Sequence, residues 1–181
     1  MKKFDIIKTE RLILRPLCMD DLHTAYEWQS DAETYKYINP PHTDINETVE
    51  YLEWVTNEWQ SDHQKYYSLG IMLGDKLIGE TAFSNGCGKC GRCVEGEAAV
   101  DCIIHPDFQN CGYEKEAVAA IIEYCFLKLN LDTIKMSCDV DDIEKRRFIE
   151  SFGMELKTEN EECEYNDGKP FKRNIYYLYK N

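Results

Sequence analysis

Residues 103–129 contain the feature that most constrains the fold, because a strand, a loop and a helix follow one another directly. An apolar run typical of a β-strand ends at His105-Pro106. The loop after it contains Gln109, Asn110, Cys111 and Gly112. The next segment has apolar residues spaced at three and four positions, namely Val118, Ile121, Ile122, Cys125 and Leu129. This order predicts a strand that leads through a tight loop into a helix.

The start of such a helix is suited to binding an anion. Its first N–H groups have no acceptor inside the helix, and the helix dipole places partial positive charge at the same end. A phosphate or pyrophosphate is a common ligand of this arrangement. The main-chain amides from Gln109 to Lys115 are therefore the predicted anion-binding groups.

The charge balance limits the ligands that the chain can bind. Lys and Arg number 21 and Asp and Glu number 34, which gives a net charge of −13 over 181 residues. Binding of nucleic acid requires clustered Lys and Arg, so no nucleic-acid partner is expected. An acidic protein is better suited to attract a cation, such as a polyamine or an aminosugar. Charge that serves only solubility explains the same composition equally well.

The chain is expected to be cytoplasmic, with no membrane partner. Its apolar runs are far shorter than the roughly 20 residues that a membrane-spanning helix needs. Asp5, Lys8, Glu10 and Arg11 interrupt the apolar core that a signal peptide would require. The nine cysteines are an odd number, which favours reduced thiols over a disulfide framework.

Apolar periodicity and turn residues predict seven strands and five helices. The strands are expected at residues 9–17, 66–73, 77–84, 97–104, 133–140, 155–165 and 171–179. The helices are expected at residues 20–28, 31–38, 44–59, 113–129 and 143–152. Asp44 and Glu47 form a predicted capping pair at the start of the third helix.

The loop before the central helix resembles the acetyl-CoA loop of the GNAT family of N-acetyltransferases. The residues that carry the resemblance are Pro106, Gln109, Gly112, Tyr113 and Glu116. The pattern of that family is Gln or Arg, two residues, Gly, one residue, then Gly or Ala. Gln109 and Gly112 fit it, whereas Glu114 puts a carboxylate at the final small position. The opening strand and helix are similar to the branch that acetylates the N-termini of ribosomal proteins.

The resemblance implies an α/β (α+β) GNAT fold as a single domain over residues 1–181. It implies a mixed, mostly antiparallel central sheet of about seven strands flanked by helices, in a monomer or homodimer. The fourth and fifth strands would separate beside the loop and admit the pantetheine arm of acetyl-CoA, the expected co-substrate. The expected acetyl-CoA-binding residues are Ile103, Ile104, Gln109, Asn110, Cys111, Gly112, Tyr113, Glu114, Lys115, Asp142, Lys145 and Arg146.

Acetyl transfer to an amine requires that a base or water accepts the amine's proton and that a donor binds the thioester oxygen. By resemblance, the donor is a backbone N–H near Ile103 or Ile104. Ala99 occupies the position at which related enzymes often carry Glu. Asp101 and Glu97 lie two residues to either side on the same strand face and are the candidate catalytic residues. They could equally be surface carboxylates on a strand.

A second departure concerns the segment before the penultimate helix. Asp142 and Lys145 stand where family members often have Asn and Ser in contact with CoA. Lys145 or Arg146 could reach the CoA phosphates instead. The segment could also be a helix whose charges face solvent.

The predicted activity is acetyl transfer from acetyl-CoA to a primary amine on a small cationic molecule, an aminosugar or a protein N-terminus. The departures leave open a catalytically degenerate, CoA-binding regulatory domain. A metal-binding interaction module is a third alternative, since the spacing of Cys87, Cys90 and Cys93 lets adjacent thiolates reach one metal ion. A fourth ligand is missing at the usual spacing, so no metal ligands are assigned.

Overall fold

The computed structural model describes residues 4–85 and 95–180, which form one mixed sheet with helices on both faces. The strands are β1 (Ile7–Lys8), β2 (Ile13–Pro16), β3 (Tyr66–Leu73), β4 (Lys76–Asn85), β5 (Glu97–Ile104), β6 (Thr133–Asp139), β7 (Glu155–Glu164) and β8 (Pro170–Tyr179). The helices are α1 (Leu22–Gln29), α2 (Ala32–Tyr35), α3 (Ile45–Gln60), α4 (Tyr113–Leu127) and α5 (Ile143–Glu150). The architecture confirms the predicted α/β fold.

The strand order is β1-β2-β3-β4-β5-β6-β8-β7. All neighbouring pairs of described strands are antiparallel except β5 and β6, which run parallel. The loop and α4 lie between these two strands in the chain, so the predicted strand-loop-helix segment forms their crossover. The start of α4 is thereby placed beside the end of β5.

The sheet has eight strands, whereas the sequence predicted about seven. The predicted first strand, residues 9–17, begins only at Ile13, and β1 lies before the predicted segment. Residues 9–12 form a tight turn in which Thr9 N donates to Leu12 O at 3.0 Å and Leu12 N donates to Thr9 Oγ1 at 2.9 Å. The turn creates β1 and β2, which pair with Ile7 opposite Leu14. The hydrogen bond of the Thr9 side chain therefore determines a turn at residues 9–12, although the apolar alternation of the sequence predicts a strand there.

The helices follow their local start signals. Asp44 and Glu47 form the predicted capping box of α3, with Asn46 N donating to Asp44 Oδ1 at 2.8 Å. The predicted helix at residues 31–38 is wrong in length, because α2 is a single turn that begins after Asp31. The Asn39-Pro40-Pro41 segment follows closely and prevents its extension.

Two apolar clusters lie on opposite faces of the sheet. The larger cluster packs α4 against alternate residues of β5, including Ala98, Val100 and Cys102. The smaller cluster packs α1 and α3 around Trp28 and Leu52. The remaining positions of β5, from Glu97 to Ile103, therefore project toward the side of α1, α2 and α3.

We predict that Gly79→Ala separates β4 from β5. An added Cβ would lie 2.3 Å from Ile103 O and 3.0 Å from Ile104 Cα, and neither backbone atom can move without disturbing the sheet. The expected cost is about 1–3 kcal/mol of unfolding free energy, as for an overpacked core. Urea denaturation measures it.

Gly70→Ala is the matched control on the neighbouring strand β3. Its added Cβ would meet only the ends of the flexible Leu77 and Leu17 side chains, at 2.8 Å and 3.2 Å. The control should therefore lose less stability. An equal loss in both variants would contradict the proposed backbone contact.

Candidate active site

Strands β5 and β6 separate after a short paired segment. Their parallel register covers Glu97 opposite Thr133, Ala98 opposite Ile134 and Ala99 opposite Lys135, and then stops. Beyond this point β6 remains paired with β8. The edge of β5 from Asp101 onward therefore faces a gap, as the family resemblance implied.

The register of β4 and β5 shows which peptide groups face this gap. His105 N donates to Ile78 O at 2.9 Å, and bonded pairs in an antiparallel ladder recur at every second residue. Ile103, which lies opposite Glu80, is therefore bonded toward β4. The peptide groups of Cys102 and Ile104 point the other way, into the gap. Of the two predicted oxygen donors, Ile104 has the available orientation.

The loop before α4 directs main-chain amides toward the same region. Asn110 has φ 59° and Gly112 has φ 79°, and α4 begins at Tyr113. Arg11 holds the loop by donating from Nη1 to Cys111 O at 3.1 Å. The first N–H groups of α4 have no acceptor inside the helix, and anion binding at this position stays a prediction.

The gap and the start of α4 open into one groove of about 1320 Å³. The predicted site residues that line it are Asp101, Ile103, Ile104, Gln109, Asn110, Gly112, Tyr113, Glu114, Lys115, Asp142 and Lys145. Glu97, Cys111 and Arg146 are not among its lining residues. The predicted residues are thus brought together with three exceptions.

Lys145 crosses the groove and links its two sides. Its Nζ lies 3.0 Å from Glu114 Oε1 and 3.1 Å from Asp101 Oδ1, and donates to Cys102 O at 3.1 Å. Burial lowers the pKa of Lys145, but the attraction of the Asp101 and Glu114 carboxylates is stronger, so the pKa is raised overall. Lys145 therefore neutralises the carboxylate of Glu114 and occupies the free edge of β5.

The other residues of this segment have structural contacts. Asp142 caps α5 by accepting a hydrogen bond from Lys145 N at 2.9 Å. Arg146 donates from Nη2 to Val140 O at 3.3 Å. Gln109 donates from Nε2 to Ile104 O at 3.1 Å, which fixes the loop to the end of β5. Asp142 and Gln109 line the groove, whereas Arg146 does not.

The two predicted catalytic carboxylates differ in their surroundings. Glu97 forms an ion pair with Lys135, and both side chains are largely buried. The side chain of Asp101 is 59% exposed and lies at the gap beside Lys145. Asp101 is consequently the one of the two that a molecule in the groove can contact.

A third carboxylate, Glu80 on β4, was not predicted as a site residue. It is 5% exposed and accepts hydrogen bonds from Ser68 Oγ at 2.6 Å and from Tyr51 Oη. Burial raises its pKa to about 6, against the hydrogen bonds of Ser68 and Tyr51, and Asp101 adds to the increase. A Glu inside the apolar run of residues 77–83 was the available signal in the sequence.

One part of the groove is acidic. Here it is lined by residues 31–39, the end of β6 and the turn between β7 and β8. The acidic residues of this end are Asp31, Glu33, Asp139, Asp141 and Glu164, against the basic residues Lys36 and Arg173. Asn166 N donates to Asn39 Oδ1 at 3.1 Å and bridges the two sides. We call this region the acidic end.

The described residues contain neither a metal-binding cluster nor a membrane-spanning helix. Within residues 4–85 and 95–180, no group of three or more His, Cys, Asp or Glu side chains is placed to bind a metal ion. Cys87, Cys90 and Cys93, which suggested a metal module, lie outside the described residues. Across the described part of the chain, no helix combines the length and apolar character needed to cross a membrane.

Comparison with known proteins identifies the family. Residues 11–155 match the family described as the acetyltransferase (GNAT) domain. The uncharacterized N-acetyltransferase YnaD of Bacillus subtilis (strain 168) is 30% identical over 148 residues, which cover 82% of this chain and 81% of that protein. The chain belongs to the GNAT acetyltransferase family. It is an acyl-CoA-dependent N-acetyltransferase whose co-substrate is acetyl-CoA.

Solved structures share the fold. The Salmonella typhimurium acetyltransferase that modifies the N-terminal serine of ribosomal protein L7/L12 has a TM-score of 0.81 at 15% identity, covering 98% of this chain and 100% of that chain. The microcin C7 self-immunity acetyltransferase MccE was solved with acetyl-CoA and AMP. It has a TM-score of 0.80 at 17% identity, and the match covers 95% of this chain and 94% of that chain. The predicted resemblance to the family is confirmed.

We predict that Gly112→Val weakens acetyl-CoA binding. Gly112 adopts φ +79°, which a β-branched residue rarely tolerates, and the strain would move the amides at the start of α4. Calorimetric titration with acetyl-CoA should show a loss of affinity of about tenfold or more, equivalent to about 1.4 kcal/mol. Gly153→Val is the control, since Gly153 has φ +75° but lies at the end of α5. Equal affinity in both variants would exclude this site.

We predict opposite effects for the two partners of the charge pair at the groove. Glu114→Ala should tighten CoA binding, because it removes a negative charge near the pyrophosphate position and releases Lys145. Lys145→Met should weaken binding about tenfold, because it leaves Asp101 and Glu114 uncompensated. Calorimetry with CoA at constant ionic strength measures both effects.

Lys157→Met is the control for this pair, since Lys157 bonds Glu155 at 2.7 Å on β7 and is not a groove residue. The gain in CoA affinity from Glu114→Ala should be larger in the Lys145→Met background than in the wild type, because Glu114 is then no longer neutralised, and this difference measures the coupling. Strictly additive effects would show that the two side chains act independently.

Proposed function

We propose that the protein transfers acetyl from acetyl-CoA to a primary amine of a small, multiply charged cation, of the polyamine or aminosugar class. The observation that carries this proposal is the acidic end of the groove. Among the described residues, no Lys, Arg or His lies within salt-bridge distance of Glu33, Asp141 or Glu164, so their charges are available to a ligand. The net charge of −13 strengthens the attraction.

The residues of the groove fit acetyl-CoA. The pyrophosphate would bind the first amides of α4, with Lys115 nearby on the groove wall. The pantetheine arm would follow the free edge of β5, where Lys145 must release the Cys102 carbonyl. This placement brings the thioester toward the Ile104 N–H, which would stabilise the negative charge that develops on its oxygen.

The acceptor amine would approach from the acidic end and meet the thioester beside Asp101. Asp101 attracts the ammonium group and holds it near the end of the β5–β6 pairing. We assign this role to Asp101 in preference to Glu97, because Asp101 is exposed and lines the groove, whereas Glu97 is largely buried and does not line it. Attack of the neutral amine on the thioester carbon forms the amide bond and releases CoA as the thiol.

A protein N-terminus is the second acceptor to test. The Salmonella enzyme named above modifies an N-terminal serine, and its fold is shared with this chain. The bridge between Asn39 and Asn166 favours a smaller acceptor here. We further propose that the enzyme acts in the cytoplasm as a monomer or homodimer. Its six described cysteines are free, in agreement with a reducing compartment.

We predict that spermidine or an aminosugar is acetylated with a lower KM than a peptide with an N-terminal serine. CoA release should be followed by chromatography, since the nine cysteines would react with a thiol reagent. Product mass identifies the acetylated amine. Turnover of the peptide alone would contradict the proposed acceptor class, and absence of turnover with every amine would favour the degenerate CoA-binding alternative.

The charge contribution is tested with Glu33→Gln/Glu164→Gln. Removing two exposed carboxylates should raise KM for the polycation about fivefold, because each exposed ionic contact is worth about 0.2–1 kcal/mol. KM for acetyl-CoA should not change. Glu123→Gln/Glu162→Gln removes the same charge from exposed positions outside the groove and should leave both KM values unchanged.

A further inference from the structure

The sheet register places Glu80 beside Ile103 and Asp101, which line the groove, although Glu80 itself is buried behind them and does not line it. Glu80 lies directly opposite Ile103, and Asp101 is opposite Ala82, so Asp101 is the diagonal neighbour of Glu80. Side chains of such cross-strand neighbours project to the same face. Glu80 therefore shares the face of Asp101 and Ile103, on the side of the sheet away from α4.

One oxygen of the Glu80 carboxylate is fixed and the other is available. Tyr51 Oη and Ser68 Oγ both donate to Oε1. Within residues 4–85 and 95–180, no hydrogen bond reaches Oε2 and no Lys, Arg or His forms an ion pair with Glu80. A buried carboxylate without a cation is costly to maintain, so its retention calls for a function.

The ionisable side chains around Glu80 are three tyrosines and the paired Asp101 and Lys145. Tyr35 and Tyr66 also face it, and burial raises the pKa of both far above neutrality, as it does for Tyr51. Asp101 is paired with Lys145, whose charge is held by two carboxylates. With a pKa of about 6, Glu80 is ionised at neutral pH and close to the ideal strength for a base at that pH.

We propose that Glu80 accepts the proton of the acceptor amine through water at the Ile103 side of the groove. The ammonium N–H bond breaks, and a proton is added at Glu80 Oε2. The free amine then attacks the thioester carbon, a C–N bond forms and the C–S bond breaks. The second proton of the attacking nitrogen passes to the sulfur, so that CoA leaves as the thiol. Glu80 returns its proton to solvent after the product leaves. This inference depends on acetyl transfer to an amine, and not on the class of the amine.

The first test is the pH profile of kcat/KM in the wild type and in Glu80→Gln. The wild type should lose activity as the pH falls through about 6, because Glu80 becomes protonated. Glu80→Gln keeps an oxygen that can accept from Tyr51 and Ser68, so the fold should persist. Its kcat/KM at pH 7 should fall about hundredfold, with the deficit shrinking toward pH 10, where the amine is neutral without a base.

Tyr51→Phe supplies a test that does not depend on the first variant. Losing a hydrogen bond to the carboxylate raises the pKa of Glu80, so the acidic limb should move to higher pH while the plateau rate is retained. Tyr67→Phe is the control, since Tyr67 Oη bonds only Gln64 O at 3.4 Å among the described residues. KM for acetyl-CoA should stay constant throughout.

A pH profile that is the same in the wild type, Glu80→Gln and Tyr51→Phe would overturn the role of Glu80. So would a wild type without an acidic limb near pH 6. The amine that turns over fastest is used for these profiles, whichever class it belongs to. The acceptor preference and the role of Glu80 can therefore fail separately.

Discussion

The end of hydrogen bonding between β5 and β6, after Ala99 and Lys135, is the constraint on which the site depends. Because β6 stays paired with β8, the two halves of the sheet separate while each half keeps its own strand pairing. The divergence leaves the peptide groups of Cys102 and Ile104 without a strand partner on that side. A thioester substrate can take the place of the missing strand, and the same opening connects the start of α4 with the acidic end.

The charge of Lys145 explains how an unusual residue at the start of α4 is tolerated. Glu114 would oppose an incoming phosphate, but Lys145 on α5 lies 3.0 Å from it and pairs with Asp101 on β5 as well. The two departures from the family pattern, Glu114 and Lys145, thus compensate each other. The ammonium group of Lys145 on α5 thus contacts both the start of α4 and the edge of β5. The same two ion pairs neutralise charge in the groove and hold its two sides together.

Local signals predicted much of the fold. The periodicity of α4, the capping box of α3 and the turn residues of the hairpins each act within a few residues, so the sequence alone reveals them. The turn at residues 9–12 and the short β1 before it were missed, because a single Thr9 hydrogen bond outweighs the apolar pattern. The length of α2 was overestimated because a weak helical stretch extends only as far as tertiary contacts support it.

The candidate site was predicted less completely, because its chemistry arises from contacts between distant segments. Lys145 was expected to reach phosphate, whereas the structure places it on Asp101, Glu114 and Cys102. Glu80 was not recognised because its environment depends on Tyr51, 29 residues before it, and on the register with β5. Burial and cross-strand position have no signature in a single segment.

The contact between Asn166 and Asn39 joins the turn of the last hairpin to the loop after α2, two segments 127 residues apart in the chain. Because the bond runs from a backbone N–H to a side-chain oxygen, it holds two segments that line the groove at a fixed separation. A wide acceptor would have to break this bond, whereas a narrow one would not. The enzyme would then select its acceptor by width before charge acts on it.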